Sequence, residues 1–294
     1  NKILNKKFYH VFDDKIRIIL PKSAENTNLR ICSTTKNGSP LRENFTIISN
    51  GVPLTASEDP SSIYFSNIYH LIVDRFNDGD KSNNLNSDSN IIERQFSYIG
   101  GDIKGINDKI NSKYFSRLGV KNILISALYE NPEKSLRMSS PPYRRFMSFD
   151  GRSPISADEV DSRFGTSADL KHLVKNAQSK KIGIMGTIIT DYTNINHEYY
   201  KNNKSWYLNE FMYNEKLLPL LDLSNLNVIK KITDQTLFWI KEFDFIGFMS
   251  IASNQESREY YKYLNRFIRY NYGDTQFSII KYPHNINSHK IKLK

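Results

Sequence analysis

Six oxygen-bearing residues in two short stretches have the makings of a metal site. The segment DGDKSNN supplies Asp78, Asp80, Asn83 and Asn84, and the segment GGD supplies Gly100 and Asp102. Calcium takes six to eight oxygens from carboxylates, amides and backbone carbonyls. Asp78, Asp80 and Asp102 would repel one another unless a cation sat among them. Asn83 and Asn84 add neutral oxygens, and Gly100 adds a carbonyl. The same letters also spell a polar turn, because Asp-Gly and Asn-Asn are ordinary loop sequence. The expectation is one structural Ca2+ that ties the two segments together.

Other chemistry-bearing residues show less pattern. His10, His70, His172, His197, His284 and His289 have no metal-ligand spacing. Cys32 is the only cysteine, which excludes an internal disulfide and a cysteine-based zinc site. Tyr199, Tyr200, Trp206 and Tyr207 form an aromatic group. Aromatic rings stack on sugars, but packing of the loop against the rest of the fold is the commoner reason for such a group.

The elements that must position these groups fall into two parts. Up to about residue 60 the chain reads as short strands (KFYHVF, KIRIIL, LRICSTT, FTIIS) separated by turn residues such as Lys36-Asn37-Gly38. From Ile63 strands and helices alternate. Strands are expected at 68–73, 121–128, 181–189, 244–252 and 276–282, and helices at 103–119, 167–180, 225–243 and 256–270. Thr166 and Asp169 form a helix-start signal. Alternating elements with continuous apolar strands predict an α/β fold with a parallel sheet.

Composition narrows the class. The 294 residues are 39% hydrophobic and 13% aromatic, enough for a sizeable core. No run of 18 apolar residues occurs, so no transmembrane segment is expected. The formal charge is +10. Its cations are scattered and no nucleic-acid motif accompanies them, so nucleic acid is not the expected partner. Lys, Asn, Ile and Ser are abundant throughout, as an AT-rich genome would produce.

The order of motifs resembles glycoside hydrolase family 13, the α-amylase family, from about Ile63 to about Tyr282. IYHLIVDRFNDGDKSNN resembles the family's first barrel strand and its loop. GGDIKGINDKI resembles the entry to the first helix. SPISADEVDSRFGTSADLKHLVKNAQSKKI resembles the segment before the third strand, and LPLLDLSNLNV with FWIKEFDFIGF resembles the approach to the fourth. The resemblance implies a (β/α)8 barrel with active groups at the C-terminal strand ends. About five β/α units fit into 61–294, so the barrel is expected to be incomplete, with a small β element at 1–60 and a short loop domain at about 192–222. The resemblance also implies a calcium site at the six residues named above. It favours a secreted, periplasmic or cell-surface location, with any leader already removed.

The resemblance carries its chemistry over poorly. Glycoside hydrolysis uses two carboxylates that flank the sugar bond. The family's fourth strand ends in a pattern like GFRxDA, and here FDFIGFMSIASNQ places Met249 at the Arg and Ile251 at the nucleophilic Asp. The fifth-strand acid/base aligns with Lys281. The third strand's Asp-x-x-x-Asn-His becomes Thr187, Asp191 and Tyr192. Isoleucine has no lone pair with which to attack or stabilise an oxocarbenium ion. The expectation is a catalytically inactive amylase-like protein acting as a structural or interaction subunit. An acidic protein partner is the expectation from charge. The alternatives are a non-catalytic α-glucan binder using the old cleft, and an active hydrolase with displaced acids drawn from Asp191, Glu198, Asp222 and Asp244.

Overall fold

The computed structural model describes residues 4–13, 15–21, 27–37, 40–49, 51–53, 67–85, 92–138, 141–212, 216–251, 255–272 and 278–282. These fall into two compact units, one up to residue 66 and one from residue 67. In the first, Tyr9–Val11 pairs antiparallel with Ile16–Ile18, and Thr27–Thr34, Pro40–Ser49 and Val52–Pro53 form an antiparallel meander. The Cys32 backbone lies in that meander opposite Glu43.

The second unit is built on a five-stranded parallel sheet. Its strands are β1 (Ile68–Leu71), β2 (Asn122–Ile125), β3 (Gly183–Ile188), β4 (Gly247–Ile251) and β5 (Ser278–Tyr282). They lie in sequence order, and each pairs in parallel with the next. The main crossover helices are α1 (Ile103–Asn111), α2 (Ser167–Ser179), α3 (Leu226–Phe243) and α4 (Gln255–Tyr272). Strand, helix, next strand, always parallel, is the repeat of a β/α barrel.

Local chemistry explains the helix boundaries. Thr166 opens α2 with a capping box: its hydroxyl accepts from Asp169 N while Asp169 reaches back to Thr166 N. Asp102 caps α1 by accepting from Gly105 N at 2.5 Å. The helix expected over 103–119 is broken after Asn111. Lys113 takes φ +60, and a separate turn of helix forms at Tyr114–Arg117. The strand expected over 68–73 ends at Leu71, and Val73–Arg75 is a 3-10 turn. There Val73 N donates to Ser126 Oγ at 3.1 Å rather than to a strand partner.

The core lies between sheet and helices. All four residues of β2 are buried, as a strand covered on both faces requires. Helix α3 buries Val228, Ile232, Trp239, Ile240 and Phe243. Trp239 is 3% exposed. Its ring centre lies 5.0 Å from those of Tyr129 and Phe243, and its Nε1 donates to Ala157 O at 2.9 Å. A fully buried side chain of this size stabilises the fold by roughly 1.5–3 kcal/mol through apolar burial. These contacts hold the β2 connection against α3, so the loops at the C-terminal strand ends rest on a packed base. Among the described residues no helix is long and apolar enough to cross a membrane.

Candidate functional site

The structure brings the six oxygen-bearing residues into one knot where the loop after β1 meets the start of α1. Asn84 Nδ2 donates to Asp78 Oδ2 at 2.9 Å. Asp102 accepts from Gly79 N at 3.2 Å, from Asp80 N at 2.7 Å and from Asn83 Nδ2 at 3.5 Å. A Cβ built on Gly100 would lie 2.4 Å from Asn84 Oδ1. Asp102 is fully buried and largely committed to N–H donors, so it works first as the fastener between loop and helix. Asp80 is fastened too: its Oδ1 accepts from Ser82 Oγ at 2.6 Å and from Ser82 N at 3.0 Å, which holds its carboxyl below the ordinary value.

Two atoms of this knot are left over. Asn83 Oδ1 and Asn84 Oδ1 are buried and have no hydrogen-bond partner. A buried acceptor without a donor costs about 1–3 kcal/mol. Beside carboxylates, an unsatisfied oxygen is better matched by a cation than by another acceptor. The donor set therefore fits a hard, oxygen-seeking cation. Among the described residues no three or more His, Cys, Asp or Glu side chains converge as a metal cluster. The fit rests on amide and carbonyl oxygens as much as on charge.

At the C-terminal strand ends, register decides which residues share a position. Thr187 pairs with Met249, and Met249 with Ile280. Ser250 pairs with Lys281, and Ile251 with Tyr282. The residue in phase with Ile251 on β5 is thus Tyr282, and Lys281 is one step out of phase. In either phase β5, SIIKY, holds no carboxylate. Thr187 is buried, and its hydroxyl is used on Ile125 O at 2.7 Å. Met249 is buried as well. The side chains of Ile251, Lys281 and Tyr282 lie outside the described residues, as do His284 and His289.

The displaced-acid candidates scatter. Asp191 is buried after β3 and accepts from Ser257 Oγ of α4 at 2.9 Å. Tyr192 is buried beside it and bridges to Leu220. Asp222 forms a turn, accepting from Ser224 N at 2.9 Å and Ser224 Oγ at 2.6 Å. Glu198 is exposed and opens a short helix, Glu198–Asn202. Asp244 is a correction to the expected placement near the mouth. It takes φ +53 at the C-terminal cap of α3 and precedes β4, which puts it at the opposite end of the sheet. Its carboxylate accepts from Gln178 Nε2 at 2.7 Å.

The four aromatics pack largely on one another. Tyr199 is buried, 5.7 Å from Trp206 edge to face and 4.3 Å from His197. Tyr200 meets Tyr207 at 4.9 Å, and Tyr207 Oη lies 2.8 Å from Thr193 Oγ1. They line the loop that contains the helix Glu198–Asn202 and the antiparallel pair Tyr207–Phe211 and Pro219–Leu221. His197 is buried beneath them, and its Nδ1 accepts from Tyr199 N at 3.0 Å. Burial first, and then the charges of Lys201 and Lys231, push the imidazole down to about 4.

Sequence reasoning missed the buried polar group beneath the strand ends. Thr190 Oγ1 and Tyr261 Oη lie 2.5 Å apart, and Ser257 of the same helix reaches Asp191. Burial, then the charge of Asp191, raises the Tyr261 phenol well above its ordinary value. The available signal was Ser257 and Tyr261 at i, i+4 on one face of α4. Also missed was the hairpin pairing Leu136–Arg137 with Arg145–Phe146. Its signal was Pro-Pro-Tyr between two arginine-bearing apolar stretches.

A five-stranded parallel sheet joined in sequence order by four main crossover helices has the repeat of a β/α barrel. Comparison with known proteins narrows the class. Residues 70–215 match the family model for the α-amylase catalytic domain. An α-amylase 2 from Dictyoglomus thermophilum is 25% identical over 250 residues, covering 81% of this chain and 39% of that protein. A cyclomaltodextrin glucanotransferase from Klebsiella oxytoca is 30% identical over 229 residues, covering 63% of this chain and 33% of the relative. Among solved structures, a maltogenic amylase from S. marinus aligns with TM-score 0.62 at 18% identity, covering 96% of this chain and 46% of that one. An α-amylase from Geobacillus thermoleovorans complexed with acarbose aligns with TM-score 0.57 at 22% identity, covering 75% and 47%. Over residues 70–215 the chain is thus similar to the α-amylase catalytic domain, and it is similar to an α-amylase over most of its length. It aligns with less than half the length of these curated relatives.

Proposed function

We propose that this chain is a non-hydrolytic member of the α-amylase family that serves as a structural or interaction module. The observation that carries this reading is the residue set at the ends of β3, β4 and β5. Register aligns Thr187 with Met249 and Ile251 with Tyr282. None of these can serve as the carboxylate nucleophile or the carboxylic acid of glycoside hydrolysis. The buried Asp191 is held by Ser257, and Asp222 by its own turn.

The interaction role draws support from the sheet edges. Within the sheet as described, β1 and β5 each have one neighbour. An unpaired edge favours association unless it is covered. The charge of +10 favours an acidic partner and would steer its docking. Assay of the purified protein on starch, maltooligosaccharides and pullulan tests the first half of the reading. No reducing ends above a buffer control is the expected result, and enzyme-dependent turnover overturns it.

A calcium ion is part of the same proposal. Asn83, Asn84, Asp78, Asp80 and the Gly100 carbonyl would hold it, with Asp102 anchoring the loop that carries them. The ion would supply charge neutralisation and cross-linking of loop to helix, not catalysis. A second reading is saccharide binding without turnover. It is favoured by the exposed Tyr143 and its arginine neighbours on the β2 connection.

A further inference from the structure

The connection leaving the C-terminal end of β2 carries a hairpin with an unusual cross-strand pair. Leu136 lies opposite Phe146, and Arg137 lies directly opposite Arg145. Partners across an antiparallel ladder share a face, and successive residues alternate faces. Leu136 and Phe146 therefore make the half-buried face, while both arginines stand on the exposed one. Like charges directly opposed destabilise a hairpin. Among the described residues neither arginine is in an ion pair with a carboxylate. Arg145 Nη1 donates to Ser135 Oγ at 3.1 Å, and the Arg137 guanidinium lies 5.6 Å from the centre of the Tyr143 ring.

Tyr143 carries a second cost. It takes φ +56, a left-handed conformation that bulky side chains avoid. It is 49% exposed, so burial of its ring does not account for that conformation. Strain and like-charge repulsion thus coincide at one exposed point, on the side of the sheet where barrel proteins keep their binding groups.

We infer that this hairpin binds an acidic saccharide, a sugar chain bearing carboxylate, sulfate or phosphate groups. The inference rests on the saccharide-binding reading above and names its ligand class. An oxyanion placed between Arg137 and Arg145 removes their repulsion and accepts charge-assisted hydrogen bonds from both. The Tyr143 ring offers a flat apolar face for a neighbouring pyranose.

The test is titration of the 294-residue chain with oligogalacturonate, a sulfated hexasaccharide, a phosphorylated maltohexaose and neutral maltohexaose at low salt. At least one acidic ligand should bind at least tenfold tighter than the neutral one, and added salt should weaken it. The double variant Arg137→Gln/Arg145→Gln should lose at least tenfold in that affinity yet melt no lower than the parent. Tyr143→Gly should melt higher, because glycine accepts φ +56, and should bind more weakly. Binding that both variants retain overturns the hairpin assignment alone. Absence of binding to every saccharide overturns the assignment together with the saccharide reading. Tighter binding of a single-stranded oligonucleotide or of polyglutamate at the same arginines reassigns the hairpin to another class of polyanion and overturns it equally.

Discussion

Gly100 and Asn84 sit so close that a methyl group on the first would lie 2.4 Å from the amide oxygen of the second. Gly100 also takes φ +103, which L side chains rarely adopt. That amide oxygen is buried without a partner, as is the one on Asn83. Close approach, a glycine-only conformation and an unsatisfied acceptor coincide at Gly100 and Asn84, in the loop proposed for calcium.

The first expectation follows from that contact. Chelation should lower the melting temperature, because an ion bound only to the folded state stabilises it. Asn84→Ala should melt lower in calcium and lose most of its response to chelator. Gly100→Ala should cost about 1–2 kcal/mol from backbone strain even without the ion. Thermal melts with and without chelator check all three, and a parent protein indifferent to chelator counts against the site.

A second expectation concerns catalysis. Ile251→Asp should leave the protein inactive on maltooligosaccharides, because β5 holds no carboxylate in either phase of its register. A single acid cannot both attack the sugar and protonate the leaving group at once. Measurable turnover by this variant, absent from a buffer control, would contradict the reading.

His197 sets a pH dependence. Its folded value, about 4, lies below the ordinary 6.5. Between these values the unfolded chain binds more protons than the folded one, so stability rises with pH there. The contribution is complete above pH 6.5 and is lost as pH falls towards 4, by about 3 kcal/mol over the window. His197→Asn, which retains an acceptor for Tyr199 N, should flatten that slope. Urea melts at pH 4.5 and 7 compare the two proteins.

Trp239→Ala should destabilise the unit from residue 67 by about 3–5 kcal/mol. The change empties the space between Tyr129 and Phe243 and leaves Ala157 O without its donor. Chemical denaturation measures the loss, and a change under 1 kcal/mol would mean that α3 is not pinned there.

The last expectation concerns association. With β1 and β5 at the sheet edges as described, the isolated 294-residue chain should run larger than its 34.3 kDa monomer in light scattering. A monodisperse monomer with one cooperative melt would show that the edges are covered from within.

The sequence by itself determined the grammar of the unit from residue 67. Continuous apolar runs marked the strands, and Thr166 with Asp169 marked the start of α2, because capping and burial on both faces are local demands written in neighbouring residues. It also offered Asp78, Asp80, Asn83, Asn84, Gly100 and Asp102 as one candidate group. What each does there was settled only by folding. Asp102 became an N-cap whose carboxylate holds the loop, whereas the amide oxygens of Asn83 and Asn84 were left buried and bare. Strand phase was likewise illegible: Lys281 and Tyr282 are adjacent letters, and only hydrogen-bond register sets Tyr282 beside Ile251. Asp244 reads as a strand residue until the αL cap of α3 puts it at the far end of the sheet. The opposition of Arg137 and Arg145 is invisible across the residues between them, because which positions face each other depends on where the chain turns, a property of the three-dimensional path and not of the order of residues.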